Sequence, residues 1–293
     1  LTLDARLQAA AERALAEQLQ RLQSTGEVEP VAGAVVALDP RNGAVRALVS
    51  HPAYDLNLVS GRGGGAYYRS LEADPAAPLL NRATRAALPP GSAFKPITLV
   101  AALERGVIHP ERLYYADDVF AIGDTVKYCW TVARGLPPHG FVDASSAMAQ
   151  SCNDYFFFVG RSAGIAALAA TARAFGLGRS LGLDLYPADE PGLVPDPDWK
   201  RAHFARRPRS EQIWYEAETL DVAIGQGALK VTPLQLAAVY MAIANRGTVY
   251  RPYLVEEIRA PTGEVVQRRQ PEVLARVRAG EATWNALHEG LRA

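Results

Sequence analysis

Pro89-Pro90-Gly91-Ser92-Ala93-Phe94-Lys95-Pro96 is an interruption followed at once by a helix start. Two prolines and a glycine punctuate the chain. An apolar pattern then runs to Glu104 and stops at Gly106, which predicts a helix from about Ser92. Pro96 would break a helix interior but fits the first turn, where its missing N–H has no partner to lose. Ser92 and Lys95 are three apart, so one helical turn places hydroxyl and amine on the same face. The positive end of the helix dipole disfavours a cation there and lowers the lysine pKa. A neutral lysine beside a serine is a general base for a nucleophilic hydroxyl. The bland alternative is a serine cap followed by a solvated lysine. Eleven serines and four lysines give roughly 0.15 Ser-x-x-Lys matches by chance, so the spacing is informative without being decisive.

Further along, Ser151-Cys152-Asn153 lies between a predicted helix over about Asp143 to Gln150 and another from Asp154 that carries Tyr155, Phe156 and Phe158 into a core. A short loop there can project a hydroxyl and a carboxamide into a cleft. Ser and Asn also favour such loops for backbone reasons alone, which is the competing reading. A second hydroxyl can relay a proton between the lysine and a leaving amine, and the carboxamide can hold a substrate amide by paired donor and acceptor. Cys152 between them reads as buried packing, because alternation along the loop points it away from its neighbours.

Around these segments the chain reads as one helix-rich α+β domain spanning residues 1–293. Asp4 caps a helix with apolar positions Leu7, Ala11, Leu15, Leu19 and Leu22, and Gly26 stops it. Val31 to Leu38 and Ala44 to Val49 form a hairpin turning at Asn42-Gly43. His51 to Pro90 reads as irregular. Ile165 to Phe175 continues the helical pattern, Thr232-Pro233-Leu234-Gln235 is a capping box, and Trp284 to Ala293 begins a last helix. Arg251 to Gln267 reads as a second hairpin turning at Pro261-Thr262-Gly263.

Lys+Arg and Asp+Glu are both 31, and zero net charge makes nucleic acid a poor partner. No run of 18 apolar residues exists to span a bilayer, and no signal-peptide pattern is present. Cys129 and Cys152 are too few for a disulfide scaffold. The five histidines show no metal-binding spacing, so no metal site is expected. His139 reads as a loop residue. Gly61-Arg62-Gly63-Gly64-Gly65 lacks a following Gly-Lys-Ser/Thr and reads as a flexible loop with no helix opening on it. Arg201, Arg206, Arg207 and Arg209 form a basic patch, a solvated face by default and a contact for an anionic lipid-linked substrate as the lesser option.

Ser-x-x-Lys followed by Ser-x-Asn is the motif pair of penicillin-binding proteins and serine β-lactamases. The chain resembles the class B penicillin-binding proteins of the cell-elongation type (penicillin-binding protein 2) over nearly its whole length. The likeness includes Asp39 to Val49 with His51-Pro52, Asn81-Arg82-Ala83, Leu88 to Pro96 and His139-Gly140. It continues through Ser151-Cys152-Asn153 with Tyr155-Phe156, Phe175-Gly176-Leu177-Gly178, Gly192-Leu193-Val194-Pro195, Ile224-Gly225-Gln226-Gly227 and Thr232 to Ala237. The resemblance implies an α+β transpeptidase fold whose antiparallel sheet is only partly present in this chain. It implies a D,D-transpeptidase in which Ser92 attacks, Lys95 takes its proton, Ser151 shuttles that proton and Asn153 binds the acyl donor, with no cofactor. The implied partners are peptidoglycan stem peptides, β-lactams and a membrane glycosyltransferase. The implied place is the extracytoplasmic face of the membrane, with an anchoring segment outside these residues. One departure stands out: the family's third motif, Lys-Thr-Gly on a cleft strand, is missing. That strand also supplies an oxyanion-hole donor, so the domain is expected to be incomplete at its C-terminus and the chain alone to be a crippled enzyme. A serine β-lactamase or β-lactam sensor, and a non-catalytic scaffold for a membrane glycosyltransferase, are the alternative readings.

Overall fold

Asp4 begins the first element as its position predicts. In the computed structural model, which describes residues 1–26 and 32–293, its carboxylate accepts from the N–H groups of Arg6 and Leu7 and opens the helix Ala5–Thr25. Gly26 closes that helix at φ 67°, a left-handed cap that glycine adopts without a Cβ penalty. Gly33–Leu38 pairs antiparallel with Val45–His51, Val35 opposite Val49 and Ala37 opposite Ala47. The expected hairpin is therefore present, although Val31 lies outside the described residues. Gly43 turns it at φ 83°, with the Gly43 N–H donating to the Asp39 carbonyl. The outer edge of Val45–His51 is met by Gln8, whose amide accepts from Leu48 N–H at 2.8 Å and donates to Leu48 C=O at 3.1 Å.

The central helix Lys95–Glu104 is buried at every position from Lys95 to Ala102. It packs against Asn153–Ala163, Ile165–Ala174 and Glu281–Arg292. Phe94, Tyr155 and Phe156 fill the space between them. An apolar helix enclosed all round is the core element of its layer, which is why its pattern is near-continuous rather than amphipathic. Asn153–Ala163 and Glu216–Ala223 approach so closely that a Cβ on Gly160 would sit 2.3 Å from the Ala223 Cβ. A smaller second core of Val45, Leu181, Leu234, Ala238 and Met241 lies beneath the first hairpin. Helix Pro233–Ala244, opened by the Thr232–Gln235 capping box, joins the two. No single helix among the described residues is long and apolar enough to cross a membrane.

Several local expectations need correction. The 51–90 stretch is not irregular throughout: it contains the helices Leu56–Ser60, Gly64–Ala73 and Arg82–Arg85. The glycine run does open a helix, with Gly63 left-handed at φ 82° as its cap. A Cβ on Gly64 would lie 1.9 Å from the Val59 carbonyl, so the run allows two short helices to meet rather than forming a free loop. The second hairpin is shorter than expected, Glu257–Arg259 against Val265–Arg268, with its turn where Gly263 predicts it. The last helix starts earlier, at Glu281. Two further pairs, Tyr114–Ala116 with Gly140–Val142 and Val119–Ile122 with Thr125–Tyr128, have only three or four residues per strand, too few to show a period in sequence. All sheets among the described residues are two-stranded.

Candidate active site

Gly91–Phe94 form a 3-10 turn, and the α-helix proper starts at Lys95 with Pro96 in its first turn. The nucleophile candidate therefore lies in a tighter turn than the expected α-helix. Ser92 is exposed, and no hydrogen bond joins its hydroxyl to the Lys95 amine. Gly91, at φ 58°, donates its N–H to the Gly225 carbonyl at 2.8 Å. Gly225, at φ 75°, presses so closely that a Cβ there would stand 2.0 Å from the Gly91 oxygen. The Ile224-Gly225-Gln226-Gly227 turn is thus the backing of the Ser92 turn.

Lys95 is 1% exposed. Its Nζ donates to Ser151 C=O at 2.7 Å, to Ser151 Oγ at 3.0 Å and to Asn153 Oδ1 at 2.7 Å. The Phe156 ring lies 5.2 Å from Nζ. No carboxylate pairs with Lys95 among the described residues. Burial pushes its pKa down to about 8, against an opposing pull from Cys129 and Cys152. The direction agrees with expectation, but burial rather than the helix dipole is the leading cause. An ammonium has three protons for these three contacts; a neutral amine has two and a lone pair, which is what a general base needs. Of the four sequence-predicted residues three meet, Lys95, Ser151 and Asn153, and Ser92 lies one turn away on the same segment as Lys95.

Ser151 holds a left-handed backbone at φ 53°, uncommon for a residue with a side chain and concentrated at functional sites. Several groups secure it. Its N–H donates to Met148 C=O at 3.1 Å. Its carbonyl accepts from Lys95 and also from Trp130 Nε1–H at 3.2 Å. Asn153 opens the next helix with its N–H donating to Cys129 Sγ at 3.1 Å. Cys152 is fully buried and caps that helix, as packing rather than as a nucleophile.

Sequence reasoning misses Cys129 and Trp130, since neither lies in a recognisable spacing; the short helix Trp130–Ala133 brings them under the Ser151 loop. It also misses the surroundings of Cys129. Asp118, Cys129, His139 and Cys152 each offer a donor atom, all within 4.8 Å of one another. His139 lies in a loop as expected, with its Nδ1 2.9 Å from Asp118 Oδ1. Asp118 also accepts from Thr131 Oγ1. The neighbouring Cys152 thiol and the Asn153 N–H, against burial, hold the Cys129 pKa below the usual thiol range. The Cys152 pKa is raised by the same contact and by burial. Two sulfurs, one imidazole nitrogen and one carboxylate oxygen make a donor set that fits a four-coordinate thiophilic divalent cation. The expectation of no metal site rested on spacing between histidines. Histidine spacing does not register this cluster, whose donors come from four separate segments.

Lys127 and Asp221 pair at 2.7 Å, tying the Val119–Tyr128 hairpin to the helix that leads into the Gly225 turn. In the arginine patch, Arg201 pairs with Asp198, and Arg207 lies 3.9 Å from Glu211, which leaves the patch half neutralised.

The family model described as the penicillin binding protein transpeptidase domain matches residues 33–293. The peptidoglycan D,D-transpeptidase MrdA of Acinetobacter baumannii is 33% identical over 260 residues, covering 88% of this chain and 37% of that protein. A chain of a peptidoglycan synthase complex, solved for its coordination of polymerization and crosslinking, superposes with TM-score 0.83 at 36% identity. That match covers 100% of this chain and 48% of the other. Penicillin-binding protein A of M. tuberculosis, as its penicillin G acyl-enzyme complex, gives TM-score 0.79 at 28% identity over 99% and 62% of the two chains. The chain spans well under half the length of the curated relative it matches. Its fold, its motif order and these likenesses together place it in the penicillin-binding protein transpeptidase family.

Proposed function

We propose that this chain is the acyl-transfer part of an elongation-type peptidoglycan D,D-transpeptidase. The observation that carries the reading is the buried Lys95 amine, in contact with Ser151 and Asn153 and unpaired with any carboxylate among the described residues. Ser92 attacks the penultimate D-Ala carbonyl of a stem peptide. Lys95 in its neutral form takes the serine proton, and Ser151, 3.0 Å from that amine, passes it to the departing D-Ala nitrogen. Asn153 holds the acyl donor through its carboxamide while its Oδ1 orients Lys95. The ester on Ser92 is then opened by an amine of a second stem, which closes the cross-link and restores the hydroxyl. β-Lactams follow the same first step, and their ester persists. The acyl-enzyme of the M. tuberculosis relative supports that part of the reading. The partners proposed are stem peptides and a membrane glycosyltransferase, with the domain on the extracytoplasmic face; the synthase-complex relative supports the pairing with polymerization.

Intact mass after incubation with penicillin, with peptide mapping of the adduct, tests the reading: one adduct on Ser92 is expected. The same assay on a chain carried through a Lys-Thr-Gly strand should show faster labelling by about 10²–10³, the worth of one oxyanion-hole donor. Equal rates would show that the strand contributes nothing to the oxyanion site.

Acylation should also follow the protonation of Lys95. Below its pKa of about 8 the base form falls about tenfold per pH unit, so the rate should climb with pH and level off above that value. A rate flat from pH 6 to 9 would remove Lys95 from the base role.

A further inference from the structure

We propose that Trp130 is a positioning residue for the proton relay, acting through the main-chain carbonyl of Ser151. The inference rests on the transfer role proposed for Ser92, Lys95 and Ser151 and adds a part that their motifs do not contain. Ser151 sits in a left-handed conformation that a side chain disfavours, so its peptide needs external restraint to keep the hydroxyl on Lys95. Its carbonyl has two lone pairs. One takes the Lys95 amine at 2.7 Å and the other takes the Trp130 indole N–H at 3.2 Å.

The indole is itself built into place. His139 meets it edge-on at 5.6 Å between ring centroids, and the Arg134 guanidinium stands 5.2 Å from the ring. The residue before it, Cys129, accepts the Asn153 N–H. The Cys129 backbone N–H is anchored to the Asp118 carbonyl at 2.9 Å. Two consecutive residues therefore grip the two ends of the Ser151-Cys152-Asn153 loop from beneath, Trp130 at the first and Cys129 at the last. Lys95 holds the same loop from the other side. Without the indole N–H, the Ser151 carbonyl keeps only the lysine contact. Its peptide stays tied at the Cys152 N–H, which donates to the Ala147 carbonyl at 2.9 Å, so the carbonyl end tilts about that bond and the hydroxyl loses its fixed distance from the amine.

The test separates this role from general support. In the full-length chain, stopped-flow acylation with a fluorescent penicillin gives the dissociation constant of the initial complex and the acylation rate constant. Trp130→Phe is expected to lower the rate constant about fivefold, the scale of one neutral hydrogen bond, and to change the dissociation constant less than twofold. In a Ser151→Ala background the same change should cost less than twofold, because the group being positioned is gone. Should phenylalanine fail to fold, 3-benzothienylalanine at position 130 keeps the ring shape and replaces only the N–H by sulfur, with the same expectation. An equal fivefold loss in both backgrounds, or an unchanged rate constant, overturns the positioning role while Ser92 still labels. Absence of any Ser92 adduct in the unaltered protein overturns the transfer reading and this role with it.

Discussion

Lys95→Met should cut acylation of Ser92 by about 10²–10⁴-fold, the span general-base removal covers, with little loss of stability. Methionine fills nearly the same space along the Lys95–Glu104 helix, and volume-conserving exchanges in a core cost little. The variant gives up three hydrogen bonds, yet the acceptors are not stranded. The Ser151 carbonyl keeps the Trp130 donor, and half-buried Asn153 can turn its amide to water. In return, the amine whose burial pushes its pKa down to about 8 no longer has to be desolvated. Melting within a few degrees of the unaltered protein, together with loss of the adduct by mass, is the expected pair of results. Adduct formation at more than a tenth of the original rate would mean that another group takes the serine proton.

The second large effect lies outside the motifs. Gly225→Ala places a methyl group 2.0 Å from the Gly91 oxygen and 2.7 Å from the Gly91 carbonyl carbon, and both atoms are backbone. Neither side can yield by a rotamer change, so the turn bearing Ser92 must move. A displacement near 1 Å at a reacting group costs about 10²-fold in rate. The left-handed φ of 75° adds about 1–2 kcal/mol of strain. Gly227→Ala is the control: it shares the positive φ, at 71°, but its new methyl would be 3.3 Å from a side-chain carbon of Asp221. Both variants should melt lower, but Gly225→Ala alone should lose acylation by about two orders of magnitude. Matching rates for the two would show that the Gly225 turn does not set the position of Ser92.

What could be read in advance was local chemistry. Asp4 and Thr232 each sit one residue before a helix and bond back to it, so capping residues placed those starts correctly. The Asn42-Gly43 step placed the first hairpin because the turn needs a positive φ that few residues supply. Ser92, Lys95, Ser151 and Asn153 were legible because their spacings are short and their chemistry is complementary. Sequence spacing could not show that Lys95 would bond to the second segment rather than to Ser92, since that depends on how two helices pack. Nor could it assemble Asp118, Cys129, His139 and Cys152, whose nearest neighbours in sequence are 10 residues apart or more. The strands around residues 114–142 escaped for a simpler reason: at three or four residues, alternation cannot be told from chance.

Gln8 carries a consequence for the state of the protein in a concentrated solution. By returning both a donor and an acceptor to Leu48, its side chain imitates the next strand at the middle of the Val45–His51 flank. An open strand flank recruits other molecules, and proteins that leave one uncovered tend to clump. A single carboxamide on the opening helix thus serves colloidal behaviour, an office unrelated to the chemistry at Ser92.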